Sequence, residues 1–479
     1  MKVAAVFLAV GLGASCAHSP VRPQAQPANP QAVVDARLAE ADALAARGCY
    51  VCLREAGEAY AKVIEISDSP VVIRKALENN LLMAIREIEL RLPDSGADRR
   101  ARLLADRATS NYETYFEALQ ALGTPIADGG RPYAEIQRAR ADRRDLAIQL
   151  EAEWPASPMA AYFYISTAIS AAEILTLQPQ LPAIANTHSE DLSVKYRLQA
   201  FGPAFSDAES HALLAAEPRF GEVHFLLGQR AILNAALMTA HKELTTAHEA
   251  LPESAAVARV LGNVEMSFAR YPQALALYDQ VLAAGPDEAA HLGRAIALSY
   301  LKRHREALAV LAELLKTPQS SPGDKHYWSA WNHLQLAESQ PAYDEARAAM
   351  QSMANSDVYR IAGIASYSLA KAAEARGYFE SSLNMNAADC DSLRYLGLLD
   401  SADRAWPSAA TRFTSASACY RQLIDKLSAQ VAEKRADTSG LLAGQIASLE
   451  SDIAEARSLV EQTAHNADVS TRNAAARTK

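Results

Sequence analysis

Five cysteines stand where sulfur chemistry is conceivable: Cys16, Cys49, Cys52, Cys390 and Cys419. In "GCYVCL", Cys49 and Cys52 have the C-x-x-C spacing used by dithiol redox centres and by half-sites for zinc. Nothing nearby completes either chemistry. Leu53 stands where haem attachment needs histidine, no second C-x-x-C supplies two more zinc ligands, and no βαβ pattern gives a thioredoxin-like setting. A local or scaffold disulfide is the expectation there, with redox activity as the alternative. His224, His241 and His248 share one helical region without a carboxylate or cysteine at ligand spacing, so packed or exposed helix histidines are expected rather than a metal site. H-E-x-x-H, G-x-S-x-G, phosphate-loop and G-x-G-x-x-G motifs are all missing from the sequence. The reading is a non-enzyme without a cofactor.

The elements that must position these residues are helical. In 479 residues, Gly 20 and Pro 21 are few, aromatic residues make up only 7%, and alanine is abundant. Such a composition builds long helices more readily than tight hairpins. With Lys+Arg 47 against Asp+Glu 56, the formal charge is −9. Both signs are spread along the chain without the basic stripe that phosphate neutralisation needs, which excludes nucleic acid as a partner.

The N-terminus "MKVAAVFLAVGLGASCAHSP" has a lysine, an apolar stretch from Val3 to Leu12 and small residues before Cys16. This is the layout of a signal peptide, 1–15, and it is too short to span a membrane, which takes about 20 apolar residues. A cut before Cys16 resembles the lipobox of bacterial lipoproteins, although Leu12 sits four residues before the cysteine rather than three. The resemblance implies acylation of Cys16; a cut after Ala17, releasing a soluble exported chain, is the alternative. Pro20, Pro23, Pro27 and Pro30 make 16–32 an extended spacer, which has a purpose if its end is anchored. Ala17 carries no inner-membrane retention acid, so the lipoprotein resemblance implies the outer membrane and a periplasm-facing body.

From Gly221 the chain repeats. Leu227-Gly228 aligns with Leu261-Gly262, Ala240 with Ala274, Leu244 with Tyr278, Ala247 with Val281 and Pro252 with Pro286, each at an offset of 34. Ala307 follows Ala274 by 33, and Gly363, Ala375 and Phe379 recur 34 residues later as Gly397, Ala409 and Phe413. A looser unit carries Ala346 and Met350 after an interrupting loop at 317–325. This pattern resembles the tetratricopeptide repeat, a helix-turn-helix unit. The resemblance implies an all-α, right-handed solenoid of about six repeats over 216–421.

Ala56, Tyr60 and Val63 fit one further unit within 33–215, where helical spacing persists but the signature fades. The stretch 70–215 would hold a ligand site or an enzyme if the chain had one. Cys390 opens the first helix of a unit and Cys419 closes the second, so the two ends of that hairpin lie side by side and suit a disulfide. Over 422–467, Leu442, Ile446, Leu449, Ile453, Ala456 and Val460 form a heptad seam on one long helix, either a solenoid cap or a coiled-coil homodimer contact. Residues 468–479 read as a disordered tail.

In this family the first helix of each unit lines a concave groove. Carried over by position, the resemblance implies a groove showing Phe225, Gln229, Arg259, Asn263, Met266, Tyr300, Trp328, Trp331, Arg360, Tyr367 and Arg394. Aromatics with arginines suit a protein or peptide partner. The expected function is an envelope-anchored interaction or assembly scaffold; the alternative is a ligand-binding protein holding a small hydrophobic molecule within 70–215.

Overall fold

The computed structural model describes residues 30–108, 112–123, 133–167, 175, 177–201, 207–316 and 322–477. Cys16, the signal segment and most of the proline-rich spacer lie outside the described residues. Among the described residues the chain forms helices and no strand.

Six antiparallel hairpins make the array: α11 (Gly221–Leu233) with α12 (Leu237–Ala250), α13 (Ala255–Ser267) with α14 (Tyr271–Ala284), α15 (Glu288–Tyr300) with α16 (His304–Lys316), α17 (Pro322–Gln335) with α18 (Ser339–Ala349), α19 (Ser356–Ser368) with α20 (Ala372–Met385), and α21 (Cys390–Ala402) with α22 (Trp406–Lys434). Four of the six first helices start on side-chain caps. Ser254 accepts from Val257 N–H at 3.2 Å, Asp287 from Ala290 at 2.8 Å, Asn355 from Val358 at 3.0 Å and Asp389 from Ser392 at 3.2 Å.

Each first helix ends on a left-handed residue: Ala235, Ala269, Lys302, Ala337, Ala370 and Arg404, with φ between 55° and 60°. The next N–H reaches back five residues, as in Ala236 to Ala231 O at 2.8 Å and Ala405 to Asp400 O at 2.8 Å. None of the six is glycine, so each turn holds an L-residue where its Cβ is disfavoured by roughly 1–2 kcal/mol. Ala337→Gly, on an exposed turn, is expected to stabilise the chain by about 0.5–1 kcal/mol, measurable as a higher urea midpoint at unchanged m-value.

Side-chain size explains the period. A Cβ on Gly262 would lie 3.0 Å from the Tyr278 ring, one on Gly363 2.6 Å from Phe379, and one on Gly397 2.8 Å from Phe413. Where the first helix carries Ala295 or Ala330 instead, the facing residue shrinks to Leu311 or Ala346, all fully buried. Large against Gly and small against Ala keep the two helices of a unit at contact distance.

The N-terminal body consists of α1 (Pro30–Ala46), α2 (Tyr50–Ile64), α3 (Pro70–Leu90), α4 (Ala97–Ala105), α5 (Glu113–Gly123), α6 (Tyr133–Glu153), α7 (Pro158–Ser166), α8 (Leu181–Thr187), α9 (Leu192–Phe201) and α10 (Asp207–Ala216). Arg86 on α3 bolts it together. Its guanidinium is fully buried, 4.5 Å from the Tyr162 ring centre and 4.4 Å from that of Tyr196, and one nitrogen lies 4.0 Å from Glu222 on α11.

Three sequence expectations change. The loop expected at 317–325 ends earlier, because α17 already begins at Pro322, and 317–321 lie outside the described residues. The single helix expected over 422–467 is two helices: α22 stops at Lys434, Asp437 folds a turn by accepting from Ser439 N–H at 2.8 Å, Gly440 takes φ 77°, and α23 (Ala443–Arg477) runs back. The tail expected to be disordered is helical to Arg477, because α23 stays packed on α22, with Thr463 and Ser470 buried.

Candidate functional site

An aromatic belt runs from the second hairpin to the fourth. Tyr271 at the start of α14 stacks on Tyr300 at the end of α15, centroids 4.6 Å apart and planes within 3°. Tyr300 meets Trp328 at 5.6 Å and Trp331 at 6.4 Å, the two tryptophans lie 5.7 Å apart, and Tyr327 meets Trp328 at 5.3 Å. Tyr300 remains 45% exposed. Burial pushes the Tyr271 hydroxyl up to about 12 and raises that of Tyr300, and the Asp452 carboxylate on α23 adds to both. Three expected groove residues thus share one surface, and Tyr271, which begins a second helix, joins it unanticipated.

The groove arginines are engaged within the chain. Arg360 pairs with Asp357 at 2.7 Å and Asp391 at 3.3 Å; Arg394 reaches Asp391 at 3.4 Å and lies over the Tyr395 ring at 4.2 Å. Tyr420 also donates to Asp391, at 2.7 Å. Tyr367 packs edge-on to Tyr395. These residues brace neighbouring units.

At the other end the N-terminal body packs against the array. Phe225 is buried in a core that also takes in Tyr50 and Leu90 of the N-terminal body. Arg259 shares Asp287 with Arg91, the residue after α3, and Leu90 O accepts from Ser254 Oγ at 2.6 Å. Asn263 accepts from the Tyr278 hydroxyl at 2.8 Å, Gln229 is exposed and Met266 is half-buried. The eleven groove residues are therefore not one open strip, and the accessible stretch centres on Tyr300, Trp328 and Trp331.

The hairpin of α22 and α23 bounds that stretch. Ala456, Leu459 and Val460 pack on Cys390, Ala416 and Tyr420, so this part of the seam faces its own chain, as a cap would. At the tip, Leu441 and Leu442 join the core around Leu261, Val264 and Phe268, and Gln445 Nε2 donates to Ser267 O. The last hairpin therefore touches both the sixth unit and the second. A Cβ on Gly444 would lie 2.7 Å from Ala269 O and 2.9 Å from Phe268 O, against backbone that cannot yield. Gly444→Val is expected to release the tip, read as faster amide exchange confined to 435–450 and a larger radius of gyration.

Sulfur and imidazole are placed structurally. Cys49 pairs with Cys52, and Cys390 with Cys419, Cα atoms 5.0 and 5.5 Å apart. Cys49, Cys52 and Glu217 offer ligand atoms within 4.8 Å of one another, yet the sulfurs are bonded together. Arg219 lies 3.1 Å from Glu217 and 3.5 Å from Cys52 Sγ, where a cation would have to sit. These residues do not fit a metal. The Cys390–Cys419 bridge closes the last hairpin beneath α23; Cys390→Ser with Cys419→Ser is expected to cost roughly 3–4 kcal/mol by the loop-closure argument, read as a lower urea midpoint under oxidising conditions.

Two of the histidines meet carboxylates: His224 meets Glu243 at 2.7 Å, and His241 meets Glu265 at 3.2 Å. Each partner lies on another helix. The signal was in the register, since His326 meets Glu345 at 2.6 Å with the same separation of 19 as His224 and Glu243. In the N-terminal body, Leu181, Pro182, Leu192, Leu198 and Leu213 line an apolar cleft of about 680 Å³, with Lys195 and Gln199 as its polar members on α9.

No protein-family model and no curated protein matches the sequence. Among solved structures, the chain is similar to YrrB, a TPR protein with an unusual peptide-binding site, at 14% identity over 38% of this chain and 95% of that one, TM-score 0.34. It is also similar to PilW, a type IV pilus biogenesis factor, at 14% identity over 48% and 99%, TM-score 0.35. A third similarity is to the APC/C hetero-tetramer Cut9-Hcn1, at 12% identity over 83% and 76%, TM-score 0.41. The repeats of this chain match the tetratricopeptide pattern in their own register and, in three of the six hairpins, in the packing of a glycine against an aromatic ring.

Proposed function

We propose that this all-α solenoid is an exported, membrane-tethered scaffold that holds a segment of another envelope protein in its concave groove. The observation that carries the reading is the belt of Tyr271, Tyr300, Trp328 and Trp331, joined rings with one half-exposed member on a face otherwise braced by internal ion pairs. Large aromatics that give area at little entropic cost are the anchors such interfaces use. Pairing of Cys49 with Cys52 and of Cys390 with Cys419 supports an oxidising compartment. The apolar leader, Cys16 and the proline-rich spacer support a lipid anchor on the periplasmic face of the outer membrane. No described helix is long and apolar enough to cross a membrane, so the tether would come from acyl chains on Cys16.

The test is retention of a protein from the organism's own membrane extract by the mature chain, beside a Tyr300→Ala, Trp331→Ala variant with unchanged circular dichroism. A protein held by the first and lost by the second supports the groove; equal retention removes it. Mass spectrometry of the exported N-terminus separates acylated Cys16 from a plain cut after Ala17.

The apolar cleft beside Leu192 and Leu213 favours a second reading, in which the N-terminal body holds a small hydrophobic molecule. Lipid that co-purifies with the native chain and disappears on Leu213→Arg would support it.

A further inference from the structure

A second, smaller cavity lies between α1, α2, α3 and α7, about 270 Å³ in volume and separate from both the groove and the apolar cleft. Its walls are of two kinds. Leu53, Leu82 and Met159 give it an apolar side, while Asp42, Glu78, Asn79 and Asp191 give it oxygen atoms.

The oxygens are not all satisfied. Asn79 is 4% exposed; its Nδ2 donates to Leu53 O at 2.9 Å, but its buried Oδ1 has no hydrogen-bond partner. A buried carbonyl oxygen left without a donor costs roughly 1–3 kcal/mol unless something in the cavity supplies one. Several neighbouring donors serve other acceptors. Tyr60 O–H and Lys75 both serve Asp42, at 2.8 and 2.5 Å, and Ser157 serves Glu78 at 3.2 Å.

Charge points the same way. Asp42, Glu78 and Asp191 are three carboxyls against Lys75 and Arg74, which leaves the lining one negative charge in excess. Burial raises the Glu78 carboxyl and holds that of Asp191 up at about 6, and a cation beside them would offset that rise. A compact, positively charged group rich in N–H donors would complement this lining.

We propose that this cavity binds a small primary ammonium compound with a short alkyl chain, its –NH₃⁺ donating to Asn79 Oδ1 and the neighbouring carboxylates and its chain lying against Leu53, Leu82 and Met159. At about 30 Å³ for each water-sized group, the volume holds on the order of nine such groups, room enough for a four- or five-carbon amine. The three donors of an ammonium match acceptors on several sides, as an alcohol's single O–H does not. The site lies wholly within the N-terminal body and does not depend on the groove.

The test uses the full mature chain with n-pentylamine, 1-pentanol and pentanoate as isosteric probes at pH 8, read by calorimetry and by thermal unfolding. Pentylamine is expected to bind and raise the unfolding midpoint, with the alcohol and the carboxylate at least tenfold weaker. Glu78→Gln, which keeps an acceptor for Ser157, is expected to weaken the amine at least tenfold. Ala46→Phe, on the exposed edge of α1, is expected to block the mouth and abolish binding without unfolding the chain. Equal binding of pentanol or pentanoate overturns the proposal, as does amine binding that survives Ala46→Phe, no amine binding at all, or a crystal soak that shows only water at Asn79. Groove variants are expected to leave amine binding unchanged, so failure here and failure of the scaffold reading are separate results.

Discussion

Arg86→Met is expected to destabilise the protein by about 3–5 kcal/mol, read as a lower urea midpoint with the largest gain in amide exchange where the N-terminal body meets the array. The guanidinium is fully buried between Tyr162 and Tyr196, donates to Gly48 O at 3.3 Å and neutralises Glu222 across the junction. Glu222 is itself fully buried and accepts from Tyr50 N–H at 2.8 Å. Removing one partner strands the other charge, which costs far more than the pair contributes net. Burial already raises the Glu222 carboxyl, and Arg86 works against that rise.

Without the arginine, Glu222 takes up a proton more readily when folded than when unfolded. A group whose folded value lies above its unfolded one gives stability at low pH that is lost as pH rises through that folded value. The variant is therefore expected to be more stable at pH 5 than at pH 8, with a steeper fall than the native chain shows. Arg86→Met combined with Glu222→Leu is expected to recover part of the loss, because no charge is then left stranded. A double variant as unstable as the single one would show that the rings, not the charge, hold the joint.

The second large effect concerns recognition. Tyr300→Ala with Trp331→Ala is expected to weaken partner binding by about 2–4 kcal/mol, some thirtyfold to a thousandfold, with a change in unfolding midpoint far smaller than Arg86→Met produces. Tyr300 is 45% exposed and Trp331 half-buried, so both present area to a partner that the fold does not use. Arg259→Ala, by contrast, is expected to act on stability. Its partner Asp287 also holds Arg91, and both sit at the junction with α3.

How much of this was legible depended on how local each contact is. Gly363 with Phe379 and Gly397 with Phe413 lie within one hairpin, so their period exposed the fold directly. Cys390 with Cys419 followed from the same hairpin geometry. The joints did not follow. Ser254 meets Leu90 O across 164 residues, and Gln445 meets Ser267 O across 178, distances at which solenoid curvature, invisible to a 34-residue register, decides what touches what. That is why Phe225 looked like open groove and is buried, and why Arg259 is tied to the junction. It is also why the heptad seam from Leu442 to Val460 admitted a dimer, when α22 of the same chain lies along its Ala456, Leu459 and Val460. The aromatic belt was half legible: the family resemblance implied Tyr300, Trp328 and Trp331 on first helices, while Tyr271 entered only through the stacking of adjacent units.

The central claim is that the concave belt, not the outer surface, meets the partner. It is tested most directly by placing a photo-crosslinking phenylalanine analogue at Tyr300 in one sample and at exposed Glu380, on a second helix, in another, then irradiating in intact cells. A discrete adduct of one envelope protein from position 300, and none from 380, is the expected result. An adduct from 380 alone, or the same adduct from both positions, would contradict the account.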